Sequence, residues 1–331
     1  MFYVAINIGG FLGPLLTGLS QTQCGFHYGF GAAAVGMAFG LCFYAKGRRL
    51  LPHMTAPNPL STKEIRIVAS VVIAVVLALF MAIHLDALRL DNFSNILLCI
   101  VILAAIGYFS RLLVDHRVDT AHRSYLLAYI PLFIAACIFW ALWYQIYTVV
   151  TVYFDETMQA TRQIGSFVIP VSWKDSLQSL WVILFSGVMA ALWTKLGKRQ
   201  PKTPLKFALS LMVLSLCYFI FVPFLSIGYS MPLIIFALAI WFNTLSELLI
   251  SPIALSFVTR IAPVHVKTQM VALNFLSLSL GFTLGGRYFA IFYQEKNPLS
   301  FYMMTGIISF VAGIVILLLI PTLNRLLKGA E

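Results

Sequence analysis

The sequence predicts an all-α polytopic membrane protein, a bundle of about ten transmembrane helices. Three observations predict it. Of the 331 residues, 61% are hydrophobic and only 10% are charged, where an ordinary soluble domain carries roughly 25%. Mean hydropathy is +0.93, and the apolar residues come in long runs separated by breakers. The basic residues, finally, gather in alternate loops. A soluble globule of this size has too little interior to hide so much apolar surface, so lipid is the solvent. That excludes a secreted or cytosolic enzyme, a nucleic-acid-binding domain and a disordered chain.

A membrane helix needs roughly 20 predominantly apolar residues. Ten segments meet that length: 2–20, 27–45, 66–84, 94–113, 125–150, 177–195, 206–225, 232–258, 267–292 and 300–321. The first lacks the basic start of a signal peptide and carries Asn7, Gly9, Gly10 and Gly13, which suit close helix packing. It reads as a mature helix. Pro52, Pro57 and Pro59 break the chain after the second span, Pro201 and Pro204 after the sixth, and Pro298 before the last. The short polar-in, apolar-out alternation of a membrane β-barrel does not occur.

Placing the charges explains the net +11. With the loop 46–65 on the cytoplasmic side, seventeen of the 22 basic residues fall inside. Arg89, Arg162, Lys174 and Lys296 fall outside, and Arg287 lies within a span. Lys and Arg concentrate in cytoplasmic loops, so the excess charge reports orientation and places the C-terminus inside. Of the acidic residues, Asp86, Asp91, Asp155, Glu156, Asp175 and Glu295 lie outside and Glu64, Asp115, Asp119 and Glu331 inside. Only Glu247 sits deep in a span.

Glu247 stands roughly 16 Å from the inner end of its span at 1.5 Å per residue. A carboxylate at that depth costs at least ~2.5 kcal/mol on insertion scales and belongs against the bundle interior or a wet cavity. There it is either a substrate and proton site or the donor of one structural hydrogen bond. Arg287 sits roughly 15 Å from Glu247 in depth and is better matched to Asp155 and Glu156. It either forms an outer gate with them or snorkels to the interface. The span 125–150 carries Trp140, Trp143, Tyr144, Gln145 and Tyr147. On a regular helix Trp140, Tyr144 and Tyr147 share one face, a stripe that either lines a cavity or packs.

The five cysteines (Cys24, Cys42, Cys99, Cys137 and Cys217) are scattered and read as small hydrophobes. The six histidines sit at span ends or in loops without metal-ligand spacing. No phosphate loop, nucleophile elbow or zinc-protease motif occurs. The expectation is no enzyme, no cofactor and no metal; Gly9–Gly10 and Gly285–Gly286 are helix-packing signals.

Several stretches carry a resemblance. The start, Phe2-Tyr3-Val4-Ala5-Ile6-Asn7-Ile8-Gly9-Gly10-Phe11, is similar to the signature of the proton-dependent oligopeptide transporter family of the major facilitator superfamily. Pro14-Leu15, Gly25-Phe26-His27-Tyr28-Gly29-Phe30 and Gly36-Met37 resemble its continuation, and Phe139-Trp140-Ala141-Leu142 with Gln145 its seventh-helix motif. Leu196-Gly197-Lys198-Arg199 and Pro204-Leu205-Lys206-Phe207 fit the following cytoplasmic loop. Glu247-Leu248 with Ser251-Pro252 resembles the tenth-helix motif. The matches run along nearly the whole chain in family order.

The resemblance implies a major facilitator-type bundle lacking the family's first four helices. Residues 1–45 would be the last two helices of the N-terminal bundle, 46–124 a cytoplasmic loop plus two inserted helices, and 125–331 the C-terminal six. It implies a proton-coupled symporter of di- and tripeptides working by alternating access in a plasma membrane of the bacterial inner-membrane type. The partners would be small peptides, protons and lipid, without nucleic acid. Glu247 would meet the peptide amino terminus and carry proton coupling, with Asn7, Trp140, Tyr144, Gln145, Gln178, Ser251 and Asn274 completing the cavity. Tyr144 stands where the family commonly has an acid, Trp181 where it often has asparagine, and Asn274 where it has a cavity tryptophan. The missing helices keep open a transport-incompetent truncated member, and the departures keep open a proton symporter of a non-peptide solute.

Overall fold

The computed structural model describes residues 2–50, 61–84, 90–116 and 118–329. Met1, Pro52, His53, Pro57, Pro59, Asp86, Arg89, Arg117 and Glu331 lie outside the described residues, as does the side chain of Asp91. The helices are α1 (Phe2–Cys24), α2 (Phe26–Gly47), α3 (Thr62–His84), α4 (Leu90–Val114), α5 (Thr120–Trp143), α6 (Val149–Val152), α7 (Trp173–Leu196), α8 (Thr203–Ile227), α9 (Leu233–Ile261), α10 (Lys267–Phe292) and α11 (Pro298–Leu326). Nine of the ten expected spans coincide with one long helix each. Among the described residues, eight helical stretches are long and apolar enough to cross a membrane.

The fifth span departs from expectation. After Trp143 the backbone tightens into a 3-10 turn at Tyr144–Tyr147, resumes as α6, then widens into a π turn at Tyr153–Thr157. A 3-10 turn advances three residues per turn rather than 3.6 and eclipses positions i and i+3. The rings of Tyr144 and Tyr147 accordingly lie 5.7 Å apart, and the regular stripe through Trp140 is broken.

In lipid each backbone polar group needs an internal partner and polar side chains tie helices together. The core of α5 and α8–α11 follows that rule. The Tyr218 hydroxyl donates to the Leu142 carbonyl, Tyr302 to Val149 at 3.0 Å and Ser309 to Leu211 at 2.7 Å. Around them Phe139, Phe221, Phe257 and Phe301 are fully buried. Gly228 closes α8 in the left-handed conformation (φ 76°), and its amide and that of Tyr229 both donate to the Phe224 carbonyl. That closure satisfies a helix end without a side chain.

Helix α4 flanks the core against α10 and α5, while α1 and α2 pair with each other and reach it through α7. Phe30 and Met37 on α2 and Val72 and Phe80 on α3 are exposed. Apolar side chains turned outward are what a bilayer solvates. Between the π turn and α7 a short hairpin pairs β1 (Gln163–Ile164) with β2 (Phe167–Val168).

Candidate functional site

Glu247 occupies the midpoint of the 29-residue α9. It is half-buried, and its Oε2 accepts from the Gln178 amide of α7 at 3.3 Å. Among the described residues no cation lies within ion-pair distance of it. Trp181, one turn beyond Gln178, donates its indole N–H to the Ala237 carbonyl of α9 at 3.1 Å. This bond holds α7 and α9 in the register that brings Gln178 to Glu247. On α9 itself Asn243 lies one turn before Glu247 and half-buried Ser251 one turn after, since residues four apart share a face.

Asn243 and Lys174 escaped the sequence reading. Asn243 is fully buried, and neither its amide nitrogen nor its oxygen has a hydrogen-bond partner. Its spacing from Glu247 was the available signal. Lys174 is assigned to an outer loop by charge placement, yet α7 buries it at its first turn. There it pairs with Asp175 at 2.5 Å and stands 5.2 Å above the Tyr147 ring. Lys174 and Gln178 are four residues apart on one α7 face, which brings the cation one turn from the Glu247–Gln178 pair.

Two expected cavity residues sit in packing instead. Gln145 is fully buried. Its amide nitrogen donates to Ala141 O at 2.8 Å and to Gly285 O at 3.0 Å, and its oxygen accepts from Thr148 at 2.7 Å. It clamps the helix break to α10 and, fully buried, presents no polar atom to a solute. Trp140 is 6% exposed. Its ring lies 5.3 Å from that of Trp143 and 5.8 Å from that of Phe282. Gly281 and Gly285 of α10 make this possible: a Cβ on Gly281 would strike the Trp140 Cβ, and one on Gly285 would lie 2.6 Å from the Ala141 carbonyl oxygen.

Tyr144 is half-buried with its ring 5.2 Å from Phe282. Asn274 is buried on α10, where its backbone carbonyl accepts from Ser277 at 2.7 Å. Asn7 is half-buried on α1. The expected outer gate is rearranged. Asp155 pairs with Arg162 at 2.9 Å, and Arg162 also donates to the carbonyls of Asp155 and Ile169. Arg162, buried and adjacent to Asp155 through the π turn, is the nearer partner. Arg287 is half-buried on α10 with no carboxylate within 4 Å among the described residues, and Glu156 is exposed.

A seam joins α1 to the end of α7 nearest Lys174. Ser172 donates to the Pro14 carbonyl at 3.0 Å, the Trp173 indole to Leu15 at 3.3 Å and Ser176 to Phe11 at 2.8 Å. Gly10 and Gly18 sit opposite Ser179 and Ser172, where a Cβ would collide. Among the described residues no group of three or more His, Cys, Asp or Glu side chains forms a metal site. The chemistry on offer is a carboxyl at mid-helix, one amide donor and neighbouring hydroxyls, a set suited to a cationic or proton-donating group.

Comparison with known proteins gives a consistent result. The POT family model matches residues 1–306. The chain is 36% identical to an uncharacterized transporter, YclF, of Bacillus subtilis over 99% of its own length and 67% of that protein's. It is 34% identical to a di-/tripeptide transporter of Lactococcus lactis subsp. cremoris, covering 99% of this chain and 68% of that one. Among solved structures, a mutant of the peptide transporter POT in complex with alafosfalin matches with a TM-score of 0.88 at 34% identity, covering 99% of this chain and 67% of the other. A POT family transporter in complex with 5-aminolevulinic acid matches with a TM-score of 0.88 at 26% identity over 98% and 68%. The chain thus spans about two thirds of the length of these relatives.

Proposed function

Because this chain belongs to the POT family of peptide transporters, we propose that it is a proton-coupled symporter of di- and tripeptides whose substrate amine is held at Glu247. The observation that carries this reading is a carboxyl at the midpoint of α9, hydrogen-bonded to Gln178 and without a cation of its own. A peptide ammonium supplies the missing charge. The Gln178 amide fixes Oε2 and leaves Oε1 for the incoming N–H donor. The ammonium pairs with the ionised carboxyl, so a proton held at Glu247 passes to a neighbouring group when the peptide docks, and proton and peptide then cross the membrane together.

Access then alternates by rocking of helix bundles around this site, with residues 1–45 in one bundle, 125–331 in the other and 46–124 inserted. The α1–α7 seam is the closure on the side of Lys174, and it must part for the opposite state. Ser251 and Tyr144 extend the wall, and Asn7 of α1 is the contribution of the other bundle. Gln145 and Trp140 hold the helix break that shapes it. The protein sits in a bacterial inner membrane with its C-terminus in the cytoplasm.

The test is dipeptide binding and pH-gradient-driven uptake in proteoliposomes for the wild type and Glu247→Gln. A hydrogen bond to a charged group is worth about 1.5–3 kcal/mol, or roughly 10-fold to 150-fold in affinity. Loss of that size with loss of gradient dependence is expected. Equal uptake by both proteins overturns the assignment.

A second reading is favoured by one observation. Trp181 spends its indole N–H on the α9 backbone, leaving no side-chain amide at a position where the resemblance implies one. A solved relative is in complex with 5-aminolevulinic acid, which carries an amine and a carboxylate but no peptide bond. Such a solute would still place its amine at Glu247. Competition between a dipeptide and that amino acid for uptake separates the readings.

A further inference from the structure

Beyond Glu247 toward the C-terminal end of α9, that helix end, the C-terminal end of α7 and the start of α8 enclose a cavity of about 600 Å³. Its rim is basic. Lys198, Lys202, Lys206 and Arg260 line it, and among the described residues no carboxylate does. Its floor is apolar, made by Pro252, Ile253 and Phe257. Lys206 is only 7% exposed. Its ammonium donates to Gln200 at 2.8 Å and stands 4.3 Å above the Trp193 ring, while Arg260 reaches Thr203 at 3.5 Å.

We propose that this cavity binds the phosphate of an anionic phospholipid from the leaflet on this side of the membrane. Two features point to an anion. Among the described residues, exposed Lys198 and Lys202 have no ion-pair partner. The N-cap of the 25-residue α8, Lys202, offers no side-chain cap, and Lys202 and Thr203 line the cavity, at the positive end of the helix dipole. A third feature selects a lipid over a free anion. The cavity joins a cationic rim to an apolar floor at the helix ends, where headgroups meet acyl chains, and Trp193 is the residue type that favours that boundary. Basic pockets between membrane helices suit phospholipid headgroups. The inference is independent of the transport reading, since it uses no residue of the Glu247 site.

The test measures binding of dihexanoyl-phosphatidylglycerol to the purified full chain, below the lipid's micelle concentration. Dihexanoyl-phosphatidylcholine and inorganic phosphate serve as comparison probes. Wild-type protein is expected to prefer phosphatidylglycerol, with affinity falling as salt rises. Each lysine near a membrane surface is worth about fivefold, so the Lys198→Gln/Lys202→Gln variant is expected to bind roughly 25-fold more weakly. Both side chains are exposed, and an unchanged melting temperature verifies that the variant folds. Arg260→Gln, on a different helix, is expected to weaken binding in the same direction. Equal binding of the two lipids, or wild-type affinity in both variants, overturns the proposal. Displacement of the lipid by inorganic phosphate mole for mole overturns the lipid assignment and leaves a free-phosphate site.

Discussion

Neighbouring glycines on α10 should respond oppositely to the same substitution. A Cβ at Gly285 would lie 2.6 Å from the Ala141 carbonyl oxygen, 3.2 Å from its Cα and 3.3 Å from its carbonyl carbon, all backbone atoms of α5. Nothing there can rotate aside. Ordinary van der Waals contact begins near 3.4 Å, so Gly285→Ala must push the helices apart by most of an ångström. It would also stretch the 3.0 Å bond from Gln145 to the Gly285 carbonyl. Overpacking of this kind costs about 1–3 kcal/mol, and a weakened buried hydrogen bond adds about 1 kcal/mol. The alanine returns up to ~1 kcal/mol of helix propensity, leaving a net loss of about 1–3 kcal/mol. At Gly286 no atom lies within 4 Å of where a methyl group would stand, so Gly286→Ala keeps only the propensity gain. Thermal unfolding of both variants in the same detergent, at one scan rate, checks this. Gly285→Ala should melt below the wild type and Gly286→Ala at or above it. Equal melting temperatures, or the reverse order, would refute the argument that α5 and α10 meet through Gly285.

Asn243→Leu removes a fully buried amide with no partner and should raise stability by about 1–2 kcal/mol, since an unsatisfied buried polar group costs that much; a lower melting temperature would contradict it. Gly10→Val drives a side chain onto Ser179, whose Oγ lies 2.7 Å from the Cβ position, whereas Gly9→Val meets open space. Hydrogen exchange of the α1 amides should therefore quicken in the first variant alone. Asp119 caps α5 by accepting from the His122 amide at 2.8 Å, and that bond, with the one from the His122 side chain, holds its carboxyl below the usual range. A depressed carboxylate stabilises the fold above its unfolded-state pKa and loses that contribution as pH falls through the folded value. Exchange in the first turn of α5 should rise only below the ordinary aspartate range, and Asp119→Ala should show the raised rate at neutral pH; no difference between the two proteins would remove the cap from the argument.

Much of the architecture is legible in one dimension because the bilayer imposes a one-dimensional requirement. A run of roughly 20 apolar residues is needed whatever packs against it, and nine of the ten expected spans lie on one long helix each. Glu247 stands out by the same logic, as the single acid deep in a span. Side-chain partners obey no such rule. Gln145 and Gly285 are 140 residues apart and Ser176 and Phe11 are 165 apart, so nothing local in sequence predicts either bond. The aromatic stripe fails for a related reason. Its geometry assumes 3.6 residues per turn, and the chain switches to three where Gln145 turns inward to α10.

What the sequence by itself determined is the solvent, the helix spans, the charge asymmetry between loops, the lone mid-span carboxyl and the family motifs. All of these depend on residue type and spacing within one segment. Only the tertiary structure decided which glycine of each pair is a contact, since Gly9 and Gly10, or Gly285 and Gly286, differ only in the direction they face. It alone decided that Asp155 takes Arg162 rather than Arg287, that Lys174 is buried beside Gln178, and that four cations close around one cavity. Those outcomes follow from where separate helices meet. Close packing admits one set of partners, and it discriminates at the scale of a single methyl group.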